Sequence, residues 1–401
     1  MAMQRIFLDW QRPGLESATE FFDARFGRGR AIDLSEVVVV VPVARAGRRL
    51  LECLVERAAT SERILTPPEI VTVGRLPELL YEPRRPFADA LTQQLAWVES
   101  LKELDASALG AILAEAPAAS DLSAWLALGE MLARLHRELA ADALDFRAVL
   151  DAGSNLDGFT ESRRWEVLAD AQQKYLRVLD GLELWDLQTA RLFAIRYGEC
   201  KCARQIVLLG AVDLNRAQRM MLDQVRECVT ALVVAPESLG KRFDEHGCLV
   251  PTEWAEAHLE IAEEQIEVVE GPAEQATAVV RALAALEGRY AAAEVTIGVP
   301  DDTLVPLLEQ RLAESGTVAR FGPGVPVEQT LPYRFLAATA MYLDGRRFSD
   351  FATLARLPQI SQRIEDAGLS GDWLTPLDCY ATEHLPLRLD GSFLGRGETT
   401  E

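Results

Sequence analysis

The fold of this chain is decided by residues 206–218, Ile-Val-Leu-Leu-Gly-Ala-Val-Asp-Leu-Asn-Arg-Ala-Gln. Four apolar residues followed by glycine predict a buried strand that ends in a turn, and the polar residues after it predict the start of a helix. A second run, residues 37–41, consists of five consecutive valines ended by Pro42. Because such runs are apolar on both faces, they predict central strands of a parallel sheet that helices cover on both sides.

Further strands and helices alternate around these two runs. The sequence predicts a helix at residues 45–58 and more strands at 4–9, 69–73, 230–235 and 265–269. Strand, helix and strand at this spacing indicate right-handed crossovers in a parallel sheet. A helix at 273–286, a strand at 295–299 and a helix at 303–314 predict the start of a second α/β unit, followed by helical runs after residue 330.

Residues 87–200 have a different pattern. Their apolar side chains recur every three or four positions, for example at Trp125, Leu128 and Leu132, which is typical of amphipathic helices. We therefore predict an α/β fold whose parallel sheet is interrupted by an inserted helical domain. The expected division is 1–86 plus 201–290 for the first α/β domain, 87–200 for the insertion, and 291–401 for an incomplete second α/β domain with a helical insertion.

Composition restricts the possible functions. The net charge of −21 opposes non-specific binding to DNA, whose affinity comes largely from phosphate neutralisation, so a nucleic-acid contact would need a local basic patch or a basic partner. No apolar stretch approaches the roughly 20 residues that cross a bilayer, so we expect a cytoplasmic protein without membrane contact. Among six cysteines only Cys200 and Cys202 are close, which predicts free thiols and no metal site.

Residues 206–218 resemble the metal-binding segment of UvrD-like DNA helicases, a hydrophobic strand followed by Asp-Glu-x-Gln-Asp-x-Asn-x-x-Gln. Asp213, Asn215 and Gln218 match that pattern, whereas Leu209 and Gly210 replace the Asp-Glu pair. In those helicases the pair holds Mg²⁺ and activates water. The resemblance implies the RecA-like (UvrD-type) frame of an ATPase motor without its chemistry, in which the retained residues form a turn and a helix start.

Two further ATPase elements are missing from the sequence. A phosphate-binding loop needs Gly-x-x-x-x-Gly-Lys-Ser/Thr after the first strand. Residues 10–19 contain one glycine, no lysine, and Glu16, which would repel a phosphate. The Gly-Asp-x-x-Gln sensor expected after the next strand is replaced at 236–241 by Pro-Glu-Ser-Leu-Gly-Lys. We therefore expect no catalytic residue here and no binding of ATP and Mg²⁺.

This combination resembles the AddB-type subunit of bacterial helicase–nucleases and related inactivated helicases that carry a PD-(D/E)xK nuclease. Residues 37–49, 67–80 and 294–312 contribute to the likeness. The resemblance identifies the first α/β domain as degenerate and helicase-like and residues 291–401 as the start of a second helicase-like domain. It implies a scaffold or DNA-scanning region in double-strand-end processing, repair and recombination. The nuclease is then expected C-terminal to residue 401, and an active helicase–nuclease subunit is the expected partner.

The resemblance also suggests where DNA would be contacted. Arg45, Arg48 and Arg49 follow the valine strand, and Thr72 and Arg75 follow the third strand. In UvrD-like motors the segments at these places touch the backbone of single-stranded DNA. The alternative is that these arginines pair with the protein's own carboxylates, which are abundant among its 62 acidic residues.

Two local patterns favour structural roles over functional ones. Asp186 with Glu199-Cys200-Lys201 fits the Asp…Glu-x-Lys pattern of nucleases. Asp186 lies in a helical segment and not on a strand hairpin, so we interpret Glu199 to Lys201 as a surface loop before a strand. Trp125 and Trp165 have the spacing of core residues in helices, which favours packing over base stacking.

Two other function classes stay open. A protein-interaction scaffold without a nucleic-acid role is consistent with the acidic charge. An enzyme that binds a nucleotide cofactor also uses a parallel sheet, but it needs Gly-x-Gly-x-x-Gly after a strand. Gly14 and Gly210 each stand alone after their strands, which disfavours the enzyme.

Overall fold

The structure, a computed structural model, describes residues 3–258, 261–369 and 371–389. The chain divides after residue 260 into two units, 1–260 and 261–401. Within the described ranges, no helix is long and apolar enough to cross a membrane.

The first unit is built on a parallel sheet. Its strands, together with those of a small second sheet, are β1 (Gln4–Phe7), β2 (Gly27–Arg28), β3 (Ala31–Asp33), β4 (Val37–Val41), β5 (Ile64–Thr66), β6 (Glu69–Thr72), β7 (Gln205–Leu209) and β8 (Val229–Val233). The large sheet has the order β1-β8-β7-β4-β6 with all neighbours parallel. The small sheet has the order β2-β3-β5. The predicted α/β fold with a parallel sheet is confirmed, and it is compatible with a RecA-like core.

Helices cover both faces of the large sheet. The helices of this unit are α1 (Gly14–Phe26), α2 (Ala44–Thr60), α3 (Ala90–Lys102), α4 (Ala106–Ile112), α5 (Leu122–Ala141), α6 (Phe146–Gly153), α7 (Ser162–Gly181), α8 (Leu187–Tyr197), α9 (Arg216–Gln224) and α10 (Pro251–Ala255). Alternate valines of β4 face opposite ways. Val37, Val39 and Val41 pack with α1 and α2, and Val38 and Val40 pack with α8 and α9. Burial on both faces is the reason that this strand is apolar at every position.

Helices α3 to α8 follow β6 and precede β7, and α3 to α7 share a core of their own. Trp97 stacks on Tyr175 with ring centroids 4.1 Å apart. Trp125 is buried in this core and Trp165 packs against it, so both are packing residues, as predicted. Side chains of aspartates accept backbone N–H groups at the starts of five of these helices, namely Asp89, Asp105, Asp121, Asp145 and Asp186. The helices and the sheet belong to the same unit.

The regular secondary structure in the described part of the second unit consists of helices. It contains α11 (Pro272–Ala284), α12 (Val305–Glu314), α13 (Leu331–Gly345), α14 (Phe348–Ala355), α15 (Pro358–Asp366) and α16 (Leu374–His384). The helices predicted at 273–286 and 303–314 are therefore formed, with slightly shifted ends. The strands predicted at 265–269 and 295–299 are not formed in the described residues, where this unit has only one isolated bridge, Arg347 to Arg388. Ile266 and Val268 are exposed, because no neighbouring strand is present for the first segment to join.

Candidate functional site

The ends of three adjacent strands bring together the three segments that were compared above with ATPase elements. Strands β1, β8 and β7 are parallel neighbours, so the loops that follow them leave the same edge of the sheet, where open α/β sheets bind ligands. The loop after β1 is tied to the end of β8 by backbone hydrogen bonds, from Leu8 N to Val233 O at 2.9 Å and from Asp9 N to Ala235 O at 3.1 Å. This carboxyl edge is the candidate site.

The side chain of Val234 fills the space between the loops. A Cβ on Gly14 would lie 2.7 Å from Val234 Cγ1, and a Cβ on Gly210 would lie 3.7 Å from Val234 Cγ2. The indole of Trp10 donates a hydrogen bond to the Val234 carbonyl at 2.7 Å. Glu16 adds a negative charge to the first turn of α1. The edge therefore presents an apolar group and a carboxylate where a bound phosphate would need amide donors and a cation.

Leu209 and Gly210, which stand where the resemblance would place an Asp-Glu pair, offer no side-chain ligand to a cation. Leu209 is buried and packs in the core shared by α1 and α2. Gly210 has no side chain and a φ of +60°, a left-handed conformation that favours glycine. Asp213 is exposed. Since hard cations such as Mg²⁺ prefer oxygen ligands, the side chains at 209 and 210 do not supply the ligands that the resemblance would require.

Gln218 has a structural role. Its backbone N–H donates to the Asn215 side chain at 2.9 Å, and its side-chain oxygen accepts from the Asn215 N–H at 3.1 Å, which forms a capping box at the start of α9. Its side-chain amide also donates to the Val73 carbonyl at 2.9 Å. This geometry agrees with the predicted helix start and adds a link to the loop after β6, which the sequence did not predict.

The candidate DNA contacts follow two neighbouring strands at the same edge. Strands β4 and β6 pair in register from Val38 with Glu69 to Val41 with Thr72. Arg45, Arg48 and Arg49 lie in the first turns of α2, and Arg75 lies in the 3₁₀ turn after β6. A Cβ on Gly47 would lie 2.7 Å from Ile70 Cγ2, so glycine allows the start of α2 to approach β6 closely.

Three of the four candidate arginines have unpaired side chains. The side chains of Arg45, Arg48 and Arg75 are exposed and make no hydrogen bond or ion pair with any described residue. Arg49 instead contacts Glu52 at 2.9 Å and Glu56 at 3.5 Å. Thr72 is half-buried. The alternative of pairing with the protein's own carboxylates thus describes Arg49 but not the other three.

Asp186 is a buried structural residue. It caps α8, and its carboxylate contacts His136 at 3.2 Å, Tyr175 at 3.1 Å and the Thr189 hydroxyl at 2.9 Å. Glu199 pairs elsewhere, with Arg84. The nuclease-like spacing of Asp186 and Glu199 therefore does not correspond to a shared site.

One polar group at another place on this unit was not predicted from the sequence. Asp223, Glu245 and His246 lie close enough for their ligand atoms to fall within 4.8 Å of one another. They come from α9 and from a turn 20 residues later, and no recognised motif has this spacing. Only the adjacency of Glu245 and His246 in the sequence could have drawn attention to them.

No protein family model matches the sequence, and no curated protein shows significant similarity to it.

Proposed function

We propose that this chain is the catalytically inactive, helicase-like part of a helicase–nuclease that processes DNA ends in repair and recombination. The observation that supports this most is the convergence of three altered segments at one edge of the sheet. The loop after β1, the turn after β7 and the loop after β8 correspond to the three ATPase elements that the resemblance requires. Each element has lost its reactive residues while the strands that carry them stay adjacent.

On this proposal the domain division follows the resemblance. Residues 87–200 are an inserted helical domain, and 291–401 begin a second helicase-like domain. The nuclease lies C-terminal to residue 401, and an active motor subunit supplies ATP hydrolysis. The segment itself binds neither ATP nor Mg²⁺, because Val234 occupies the space between Gly14 and Gly210 and Leu209 cannot ligate a cation.

The role that this chain retains is contact with the DNA backbone. Arg45, Arg48 and Arg75 present three exposed cations at neighbouring strand ends, and their side chains have no partner among the described residues. The protein has a net charge of −21, which repels DNA, and such a group forms a local positive surface within it. Binding through it would be weak and sensitive to salt, since phosphate contacts release counterions.

Single-stranded DNA binding measured over a salt series tests this function. We expect the triple variant Arg45→Glu, Arg48→Glu, Arg75→Glu to reduce the slope of log K against log salt by about 2, because each phosphate contact on a single strand contributes roughly 0.7. The matched control is Arg28→Glu, Arg134→Glu, Arg177→Glu. It makes the same charge change with exposed arginines that have no ion pair to a described residue.

The outcomes separate the possibilities. If the control lowers affinity as much as the triple variant, the effect is one of net charge and the assigned surface is wrong. DNA-stimulated ATP hydrolysis by the purified chain would contradict the inactive motor.

A protein-interaction scaffold is the second candidate, and a specific observation favours it. Trp10 and Val43 at the carboxyl edge are 59% and 58% exposed, and Val212 and Val234 are also exposed there. Clustered exposed apolar side chains mark protein interfaces more often than DNA interfaces. Undetectable DNA binding at the lowest salt concentration would support this function over the first.

A further inference from the structure

A rigid turn holds His246 against the end of α9. The Asp244 carboxylate accepts the backbone N–H groups of His246 at 2.9 Å and Cys248 at 3.0 Å, and it also pairs with Arg219. Gly247 has a φ of +79°, and a Cβ there would lie 3.1 Å from side chains of β8. The turn therefore packs closely against the sheet, and this packing fixes the position of His246.

The imidazole of His246 is buried, but its two nitrogen atoms lack hydrogen bonds in the described part of the chain. The residue is 4% exposed, and neither Nδ1 nor Nε2 has a hydrogen-bond partner in the described part of the chain. Nε2 lies 3.2 Å from Asp223 Oδ1, near it but outside hydrogen-bonding geometry. Buried polar atoms are usually paired, and an unpaired one in a native protein calls for an explanation such as a bound ion.

The surrounding atoms have the spacing of metal ligands. The ligand atoms of Asp223, Glu245 and His246 all lie within 4.8 Å of one another. Ligands about 2.0–2.1 Å from a tetrahedral ion stand about 3.3 Å apart, which is close to the 3.2 Å between His246 Nε2 and Asp223 Oδ1. Both carboxylates are exposed, so an ion could enter from solvent and keep open coordination positions.

An arginine holds the same carboxylates. Arg226 Nη2 lies 2.9 Å from Glu245 Oε2 and 3.7 Å from Asp223 Oδ1. Its Nε is buried and lacks a hydrogen-bond partner, so this guanidinium is only partly satisfied. A metal ion and the Arg226 side chain would therefore compete for one pair of carboxylates.

We propose that Asp223, Glu245 and His246 form a binding site for a divalent first-row transition ion, which displaces the guanidinium of Arg226. Imidazole with two carboxylates suits ions such as Zn²⁺ and Co²⁺ better than Mg²⁺, which prefers oxygen ligands alone. The site is independent of the DNA contact and of the lost ATPase positions.

Titration of the full chain with Co²⁺, followed by visible absorption and calorimetry, tests the site. We expect one ion bound with nitrogen and oxygen ligands, without the intense near-ultraviolet band of a thiolate complex. His246→Gln should weaken binding at least about tenfold, and Arg226→Gln should strengthen it because the competing cation is gone. The matched control His384→Gln alters a histidine in the second unit that lies 4.0 Å from Glu383, and it should leave binding unchanged.

Three results would overturn the proposal. They are equal affinity of the wild type and His246→Gln, weaker binding by Arg226→Gln, and a thiolate spectrum in the wild type. If His246→Gln does not fold, the exposed substitutions Asp223→Asn and Glu245→Gln serve instead. Each should weaken Co²⁺ binding, and unchanged affinity in both would equally overturn the site.

Discussion

Replacing Asp186 with alanine should destabilise the helical block of the first unit. The carboxylate is fully buried and accepts hydrogen bonds from four donors. They are His136 Nε2 at 3.2 Å, the Tyr175 hydroxyl at 3.1 Å, and the Thr189 N–H and hydroxyl at 2.7 and 2.9 Å. Gln172 donates to His136 Nδ1 at 3.0 Å, so the hydrogen-bond network assigns Nδ1 as an acceptor and Nε2 as the nitrogen that donates to Asp186.

The expected loss for Asp186→Ala follows from these contacts. Removing a helix N-cap costs about 1 kcal/mol, and leaving a buried donor unpaired costs roughly 1–3 kcal/mol. Because the donors share one network, the losses are not additive, and we expect about 3–5 kcal/mol in the free energy of unfolding. Asp186→Asn is the matched variant. Asparagine also caps helices, and the hydroxyls of Tyr175 and Thr189 can rotate to accept its amide, so the loss should be less than half as large.

Urea unfolding at neutral pH, followed by tryptophan fluorescence, measures the difference. Trp97 stacks on Tyr175, so its emission reports on packing beside the network. A loss below about 1 kcal/mol for Asp186→Ala, the size of an ordinary surface change, would refute the argument that this network supports the block. Equal losses for the alanine and asparagine variants would refute the roles given to the rotating hydroxyls.

Acid should weaken the same network. Burial raises the pKa of Asp186, but hydrogen bonds from His136 and Thr189 outweigh it and hold the pKa below its ordinary value. A lowered pKa in the folded state stabilises the protein above the unfolded value of about 3.9, and this stabilisation is lost as pH falls through the folded pKa. The stability gap between the wild type and Asp186→Asn should therefore narrow below about pH 4. A constant gap would contradict an ionised Asp186.

Two further substitutions test the carboxyl edge by the same unfolding assay. Gln218→Ala removes half of the capping box and the link to Val73 and should cost about 1–2 kcal/mol. The control, exposed Gln173→Ala, should cost less than about 0.5 kcal/mol. Similar losses for the two variants would contradict a stabilising contact between Gln218 and Val73. Gly47→Ala should cost about 1–3 kcal/mol, as overpacking does, because its Cβ would lie 2.7 Å from Ile70. No loss in that variant would show that the helix moves aside freely.

The parallel sheet was predictable because its signal is local. A run such as residues 37–41 must be covered on both faces, and the helix predicted at 45–58 follows it directly. The order of strand and helix together with the required burial leaves few folds other than a parallel sheet. The segment at 265–269 has apolar residues at alternate positions, a pattern that is typical of a strand. Periodicity cannot say whether a neighbouring strand exists, and here Val268 is exposed without one.

The candidate site was predictable only in part. The absence of acidic side chains at Leu209 and Gly210 can be read directly from the sequence. Which arginine is paired cannot be read from the sequence. Glu52 lies within helical reach of both Arg48 and Arg49, and the structure shows that it contacts Arg49. The group around His246 depends on a turn that returns to α9 after 20 residues, and such a contact has no sequence period.

The hydrogen bond from Gln218 to Val73 has a mechanical consequence. The capping box fixes the start of α9, and Gln218 joins it to the 3₁₀ turn that carries Arg75. A load applied to Arg75 would therefore pass through this hydrogen bond into α9. If the proposed DNA contact is correct, a strand bound at Arg75 would be held by a braced turn that does not yield independently of the sheet.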